Sequence, residues 1–508
     1  MRYLSENKRE DMRMKKRTAA RSMAALMGAA MVLTACGGGN TTAPTTGASS
    51  GGETQTASES AESGKITKTD IVVGQASDIV TLDPAGQQDT TSGVLMKHAY
   101  STLLDVDNEG KVVPDLAESY EMKSDTEYVF KLREDACFWD GTPVTAQDVK
   151  FSLDRAKGMP KTKSNTSKIE EVTVNGDHEV TIKLTEPYAA FKTIVTQHNL
   201  SILSEKAVTE AGDSYGDVDN LLGSGPFKVT EWVPNDHYTL VRNDNYWGEM
   251  PIATSITCRV IPEGSARTIA LEAGEIDVVW SVDPTDCANV ESNPDVKLLS
   301  QPSTGIDYVG MNTQKEKFSD KRVRQAINYA LDKQTFVDTI IEGRGLVANS
   351  YINAAIPGWT DEVEAYPYDP EKAKELLAEA GYPDGFECSI FVNGDLRTRS
   401  AQILQAQLAD VGIKVDISTY EWGALLDTLN AGEHEMFLLG WSNTSFDPDG
   451  STYQLFYSGN HGATGNRAFF SNDKVDELIL SAQRQEPHPP TTEYRRAAEL
   501  TQRGDSRL

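Results

Sequence analysis

At 508 residues, 39% of them hydrophobic, the chain is long enough to bury more than one core. Its formal charge of −28 would repel phosphate backbones, which excludes nucleic acid as a partner. The five cysteines, Cys36, Cys137, Cys258, Cys287 and Cys388, form no CxxC pair, so no metal site is expected. A Cys258–Cys287 disulfide and four free thiols both remain compatible with their spacing.

Residues 2–21 are rich in Lys and Arg, and an apolar run, MAALMGAAMVLTA, follows at 23–35. That run is shorter than the ~20 apolar residues that cross a bilayer, but it has the length of a signal-peptide core. It ends in LTAC at 33–36, with three glycines directly after. Small residues before a Cys at this place resemble the lipobox of bacterial lipoproteins. The resemblance implies that residues 1–35 are removed and that Cys36 takes a thioether-linked diacylglycerol. Two acyl chains would hold the protein stably at the outer face of the cytoplasmic membrane. Residues 37–64 contain no aromatic and no branched aliphatic side chain, so 36–65 reads as a lipidated Cys followed by a flexible tether. No second long apolar run follows.

Catalytic and cofactor motifs are lacking. His434-Glu435 opens an HExxH pattern, but Leu438 stands where the second His belongs. A GxSxG match at 47–51 falls inside the tether, without the strand and helix such a nucleophile needs. There is no P-loop and no GxGxxG, and the seven His are scattered. The reading is therefore a non-enzyme with no catalytic residues, no metal and no cofactor.

The C-terminal half alternates helix and strand. Val323, Ala326, Ile327, Ala330 and Leu331 share one helical face, which predicts a helix over 319–343 with Gly343 as its stop. Asp369 and Pro370 open a second helix, carrying Ala373, Leu376, Leu377 and Ala380, which Gly381 ends. Residues 388–392 read as a strand. Ala401, Leu404, Leu408 and Val411 mark a helix closed by Gly412. Ile413, Val415 and Ile417 alternate with polar residues as a strand does. Trp422, Leu425, Leu426 and Leu429 give another helix, and the apolar MFLL at 436–439 a central strand. This βαβαβ order predicts an open, wound α/β sheet. Ligands of such sheets lie beyond the carboxyl ends of the strands. Residues 440–444, GWSNT, and 393–399 should therefore border a binding site.

Several blocks together resemble the peptide/nickel-type extracellular solute-binding proteins of ABC importers, family 5. They are FWDGTPVTAQDVKFSLDR at 138–155, where Thr145 and Asp148 form a capping box, and GSGPFKVTEWVPNDHYTLVRNDNYWG at 223–248. KRVRQAINYALDK, YDPEKAKELLAEAGYPDGF, ILQAQLADVGIKV and LGWSNTSFDPD follow in the family's order. The likeness covers roughly residues 68–485.

The resemblance implies an α/β, periplasmic-binding-protein-like type II fold, a two-lobed clamshell with an extra subdomain. By that reading lobe I comprises 66–110, 222–303 and 482–508, its subdomain 111–221, and lobe II 304–481. A small-molecule or peptide ligand would be enclosed between the lobes, and an ABC permease complex would be the partner of a monomeric, membrane-anchored protein. Dipeptide-binding relatives place an Asp shortly after the Gly-Trp pair, and here that position holds Thr444, in Trp441-Ser442-Asn443-Thr444, with Asp447 beyond. GWS, together with NRAFFSNDKVDELI at 466–479, looks more like glutathione or γ-linked peptide binders. Arg397 or Arg399 would pair a ligand carboxylate. Trp422 and Trp441 would form apolar walls, and Tyr308 and Asn312 would make polar contacts. A haem- or nickel-binding relative and a ligand-sensing receptor domain are the alternatives. Relatives also continue through a helix into a strand that completes lobe I. After Gln485 this chain offers only a helix start near 494–500, so a lobe I truncated at its C-terminus is expected.

Overall fold

The apolar MFLL stretch becomes the interior of a mixed four-stranded sheet. The computed structural model describes residues 68–502 apart from 88, 364, 464 and 486–490; the leader, Cys36, the tether and the GxSxG match lie outside the described residues. Met436–Ser442 runs antiparallel to Gly305–Met311 on one side and parallel to Glu387–Val392 on the other, with Lys414–Thr419 at the edge. Alternate side chains serve opposite faces. Met436 and Leu438 join Ala326, Leu377 and Leu404, while Phe437 and Leu439 join Leu425 and Leu429.

The helices around this sheet begin and end where local chemistry directs. Asp369 caps Pro370–Glu379 by accepting the Lys372 N–H at 2.9 Å. Gly381 and Gly412 take φ of 95° and 89°, left-handed conformations that stop a helix cheaply only at glycine. Gly394–Ala409 and Trp422–Asn430 complete the expected βαβαβ order.

The single helix expected over 319–343 is corrected to two, Lys321–Ala330 and Lys333–Ile340. Leu331 is extended (φ −101°, ψ 116°), and the Asp332 carboxylate accepts the N–H groups of Gln334 and Thr335. A new cap here outweighs the continuing apolar period.

A second sheet holds five strands in the order Val278–Val279, Asp70–Gln75, Ser255–Val260, His237–Arg242 and Phe227–Val233. The first three are parallel to one another and the last two antiparallel. A third, four-stranded antiparallel sheet orders Ala117–Ser124, Glu127–Leu132, Glu179–Leu184 and Ile169–Gly176. Helix Ala146–Lys157 packs on it, and its Thr145–Asp148 capping box is formed in both directions. Tyr128, Phe130 and Phe191 fill the space beneath, with the Tyr128 and Phe191 rings 4.9 Å apart.

Cys137, Cys258, Cys287 and Cys388 are all free thiols. Helix Thr491–Gln502 packs on Asp473–Gln483 and Asp449–Phe456. Tyr494 and Ala498 bury against Ile352 and Ile356, in the stretch read as lobe II, and against Ala482, in the stretch read as lobe I.

Candidate ligand cleft

Three regions of the chain converge on a cleft of about 570 Å³. One wall is the helix Thr90–Ala99 with the turn at 105–108. The second comes from 161–165 and 194–199, next to the antiparallel sheet. The third is the carboxyl end of Met436–Ser442, together with Trp422 and Arg467. The central strand of the wound sheet thus ends at the cleft, where this topology puts ligands.

Trp422, Trp441, Ser442, Asn443 and Thr444 all line the space, as the sequence suggested. Trp422 starts the helix Trp422–Asn430, and the Trp441 indole donates to the Gly450 carbonyl at 3.2 Å, which holds its plane. Beyond the strand the side chains keep alternating. Ser442 and Thr444 are exposed, whereas Asn443, Ser445 and Asp447 turn inward. Asn443 donates to the Asp447 carbonyl (2.7 Å) and to Ser451 Oγ (2.9 Å), so its amide braces the loop. Asp447 accepts the Asp449 N–H at 2.9 Å and Thr193 Oγ1 at 3.3 Å, and it lies beneath the lining. Phe446, within this loop, has φ 54°, a conformation that costs a bulky residue ~1–3 kcal/mol and tends to cluster at ligand clamps.

The other expected site residues stand elsewhere. Tyr308 packs edge-on against Phe437, 5.7 Å between centroids, and burial pushes its phenol up to about 12. Asn312 is buried and donates to the carbonyls of Gly432 (3.1 Å) and His434 (3.2 Å), holding the entry to the central strand. Arg397 pairs with Asp307 at 3.2 Å and Arg399 with Asp283 at 2.6 Å, and neither lines the cleft.

Residues the sequence reading missed supply the charge. Asp89 caps Thr90–Ala99, accepting the Ser92 N–H at 2.9 Å, and burial raises its carboxyl, with Lys161 opposing that shift. Arg467 is only 4% exposed yet borders the cleft; its Nε donates to Asn430 Oδ1 at 2.9 Å, and burial lowers its guanidinium against the pull of Tyr308 and Asp89. At the far end Lys97 pairs with Asp105 at 3.1 Å. His198 is lowered to about 4 by burial, with Lys97 adding to the effect, so it is neutral at physiological pH. His434, the first residue of the broken HExxH, is likewise lowered to about 4 by burial and donates to the Arg467 carbonyl at 2.8 Å. An amide chain bridges two walls: Gln454 donates to Asn165 Oδ1 (2.7 Å), and Asn165 donates to Asn199 Oδ1 (3.0 Å). The signal for Asp89 was local, an Asp before a helical run. Arg467 carried none, because only the fold brings it to the cleft.

Comparison with known proteins gives consistent matches. The family described as bacterial extracellular solute-binding proteins, family 5 Middle, matches residues 111–463. The glutathione-binding protein GsiB of Shigella dysenteriae serotype 1 (strain Sd197) is 32% identical over 451 residues, 85% of this chain and 86% of that one. Among solved structures, the ABC transporter-associated periplasmic binding protein DppA from Helicobacter pylori, in complex with the peptide STSA, aligns with TM-score 0.82 and 29% identity over 85% of this chain and 90% of its own. The oligopeptide-binding protein AppA from Bacillus subtilis, in complex with a nonapeptide, aligns with TM-score 0.78 and 26% identity over 85% and 91%.

Proposed function

The chain belongs to the bacterial extracellular solute-binding proteins of family 5, and from that premise we propose that it captures a peptide-like solute outside the cytoplasm and delivers it to an ABC importer. The observation that carries the peptide assignment is the composition of the cleft. Two indoles offer apolar contact, exposed hydroxyls of Ser442 and Thr444 offer hydrogen bonds, and charges of both signs stand at the ends. A peptide presents the matching parts: apolar side chains, amides, an ammonium and a carboxylate. Closure of the lobes on the ligand is a population shift biased by these contacts, and the permease reads the closed shape. Lobe I then comprises 66–110, 222–303 and 482–508 with the subdomain 111–221, and lobe II comprises 304–481.

A thermal-shift panel tests this reading. Di- to pentapeptides or glutathione should raise the melting point of the protein, by ~2.7 kcal/mol of stability at a hundred times the dissociation constant. A shift with sugars, haem or nickel and none with any peptide would overturn it.

We also propose that residues 1–35 direct export, that Cys36 carries the lipid anchor, and that the monomer works from the end of its tether. With radiolabelled palmitate, the native protein should label and sediment with membranes, and Cys36→Ser should lose the label and appear in the soluble fraction. Labelling that persists in Cys36→Ser would rule out the anchor.

A further inference from the structure

Residues 443–448 form the loop that follows the central strand, and 443–446 line the cleft. The last helix, Thr491–Gln502, reaches this loop by two routes. The polar route starts at Tyr494, whose Oη donates to Asp449 Oδ1 at 3.0 Å. The Asp449 N–H donates in turn to Asp447 Oδ1 at 2.9 Å, and the Asp447 carbonyl accepts the Asn443 amide at 2.7 Å. The apolar route is a cluster in which Tyr494 and Ala498 bury beside Ile352 and Ile356, with Phe446 packed against them.

Phe446 is half-buried, lines the cleft and holds φ at 54°. A bulky residue keeps such a backbone only where its surroundings over-determine it. Its ring also meets Gly110, where a Cβ would come within 2.6 Å of the phenyl Cγ. Gly110 lies in the hairpin turn after Leu104–Val106 and donates its N–H to the Asp107 carbonyl at 3.0 Å. The Asp107 carboxylate fixes that turn by accepting the N–H groups of Glu109 (3.0 Å) and Lys111 (2.9 Å). The phenyl ring therefore joins the turn of one cleft wall to the strand end of another, with the cluster of the last helix packed against it.

We infer that the last helix is a positioning element for the cleft, with Tyr494 setting the loop that carries Phe446 to Gly110. Tyr494 and Ala498 do not line the cleft, so the helix acts on a bound solute only through the loop. The inference rests on the peptide reading above and adds to it a determinant of affinity outside the contact surface.

Titration calorimetry of the full chain, with glutathione and trialanine as probes, tests it. Tyr494→Phe removes one hydroxyl donor and keeps the ring in its cluster. It should weaken each probe that binds the native protein by about threefold to tenfold. Gly110→Ala places a methyl where the phenyl ring lies and should weaken binding at least about fivefold. Val149→Ala, in the core of the antiparallel sheet, loses stability away from the loop and should leave both affinities unchanged. Trp441 emission supplies a readout that needs no solute, because its indole donates to the Gly450 carbonyl at 3.2 Å and so spans the loop. The emission lost on Trp441→Phe should differ from native in the Tyr494→Phe and Gly110→Ala backgrounds and match it in Val149→Ala. Native affinity and native Trp441 emission in both loop variants would overturn the inference and leave the peptide reading standing. Equal weakening in Val149→Ala would reduce the helix to a structural role and overturn it as well. Failure of both probes and of the di- to pentapeptide panel on the native protein removes the peptide reading, and Trp441 emission then decides the positioning role alone.

Discussion

Asp449→Ala is expected to lower the unfolding free energy by about 3–5 kcal/mol, read as an earlier urea midpoint. Asp449 is 1% exposed and accepts hydrogen bonds from three separate segments of the chain. Tyr188 Oη donates at 2.7 Å from beside the antiparallel sheet, Gln483 Nε2 at 2.9 Å from the end of Asp473–Gln483, and Tyr494 Oη at 3.0 Å from the last helix. Alanine would strand three buried donors at once. Burial, with the neighbouring Asp447 adding to it, raises the Asp449 carboxyl to about 6 from 3.8. Between these values the folded protein holds a proton that the unfolded chain has released, so this group's contribution is full below about 3.8 and is lost as pH rises through 6. A shift of about two units is worth on the order of 3 kcal/mol. Asp449→Asn keeps hydrogen-bonding groups without the charge. The stability of the native protein relative to Asp449→Asn should therefore fall between pH 4 and 7, and a pH-independent difference would refute the account.

Gly310→Ala and Phe437→Ala should each destabilise the wound sheet, by about 1–3 and 3–5 kcal/mol respectively. Gly310 stands directly opposite Phe437 in the register of the two central strands, and a Cβ placed there would overlap the phenyl ring. Phe437 is fully buried, with the Tyr308 and His434 rings against it. The missing side chain at 310 is thus the space the ring occupies. Combining Gly310→Ala with Phe437→Leu should cost less than the sum of the two changes, by ~0.5–3 kcal/mol, because the smaller side chain yields that space. Strictly additive costs in urea titrations would show that the two positions do not share it.

Much of the second half of the chain was legible residue by residue, since its signals act within a turn or two. Asp369 with Pro370 starts a helix, Gly381 and Gly412 end theirs, and the apolar MFLL is a strand covered on both faces. The reading failed at Leu331, where two local signals conflict: the apolar period runs on, but Asp332 satisfies the first N–H groups of a new helix. The ion pairs of Arg397 and Arg399, expected as ligand contacts from residue type and strand-end position, were not legible either. Their partners, Asp307 and Asp283, lie 90 and 116 positions away, and no local pattern announces them.

By itself the sequence determined most elements of the second half, the likeness to a solute-binding family, and the indole and hydroxyl positions at the end of the central strand. Those follow from periodicity, caps and ordered motif blocks, all of which are properties of neighbouring residues. Only the tertiary structure decided which charges meet in the cleft. Asp89, Lys161 and Arg467 come from three distant stretches, and their interaction depends on separations set when whole faces of helices and sheets bury against one another. The last helix likewise finds the cover for its apolar face, Ile352, Ile356 and Ala482, only in the folded chain.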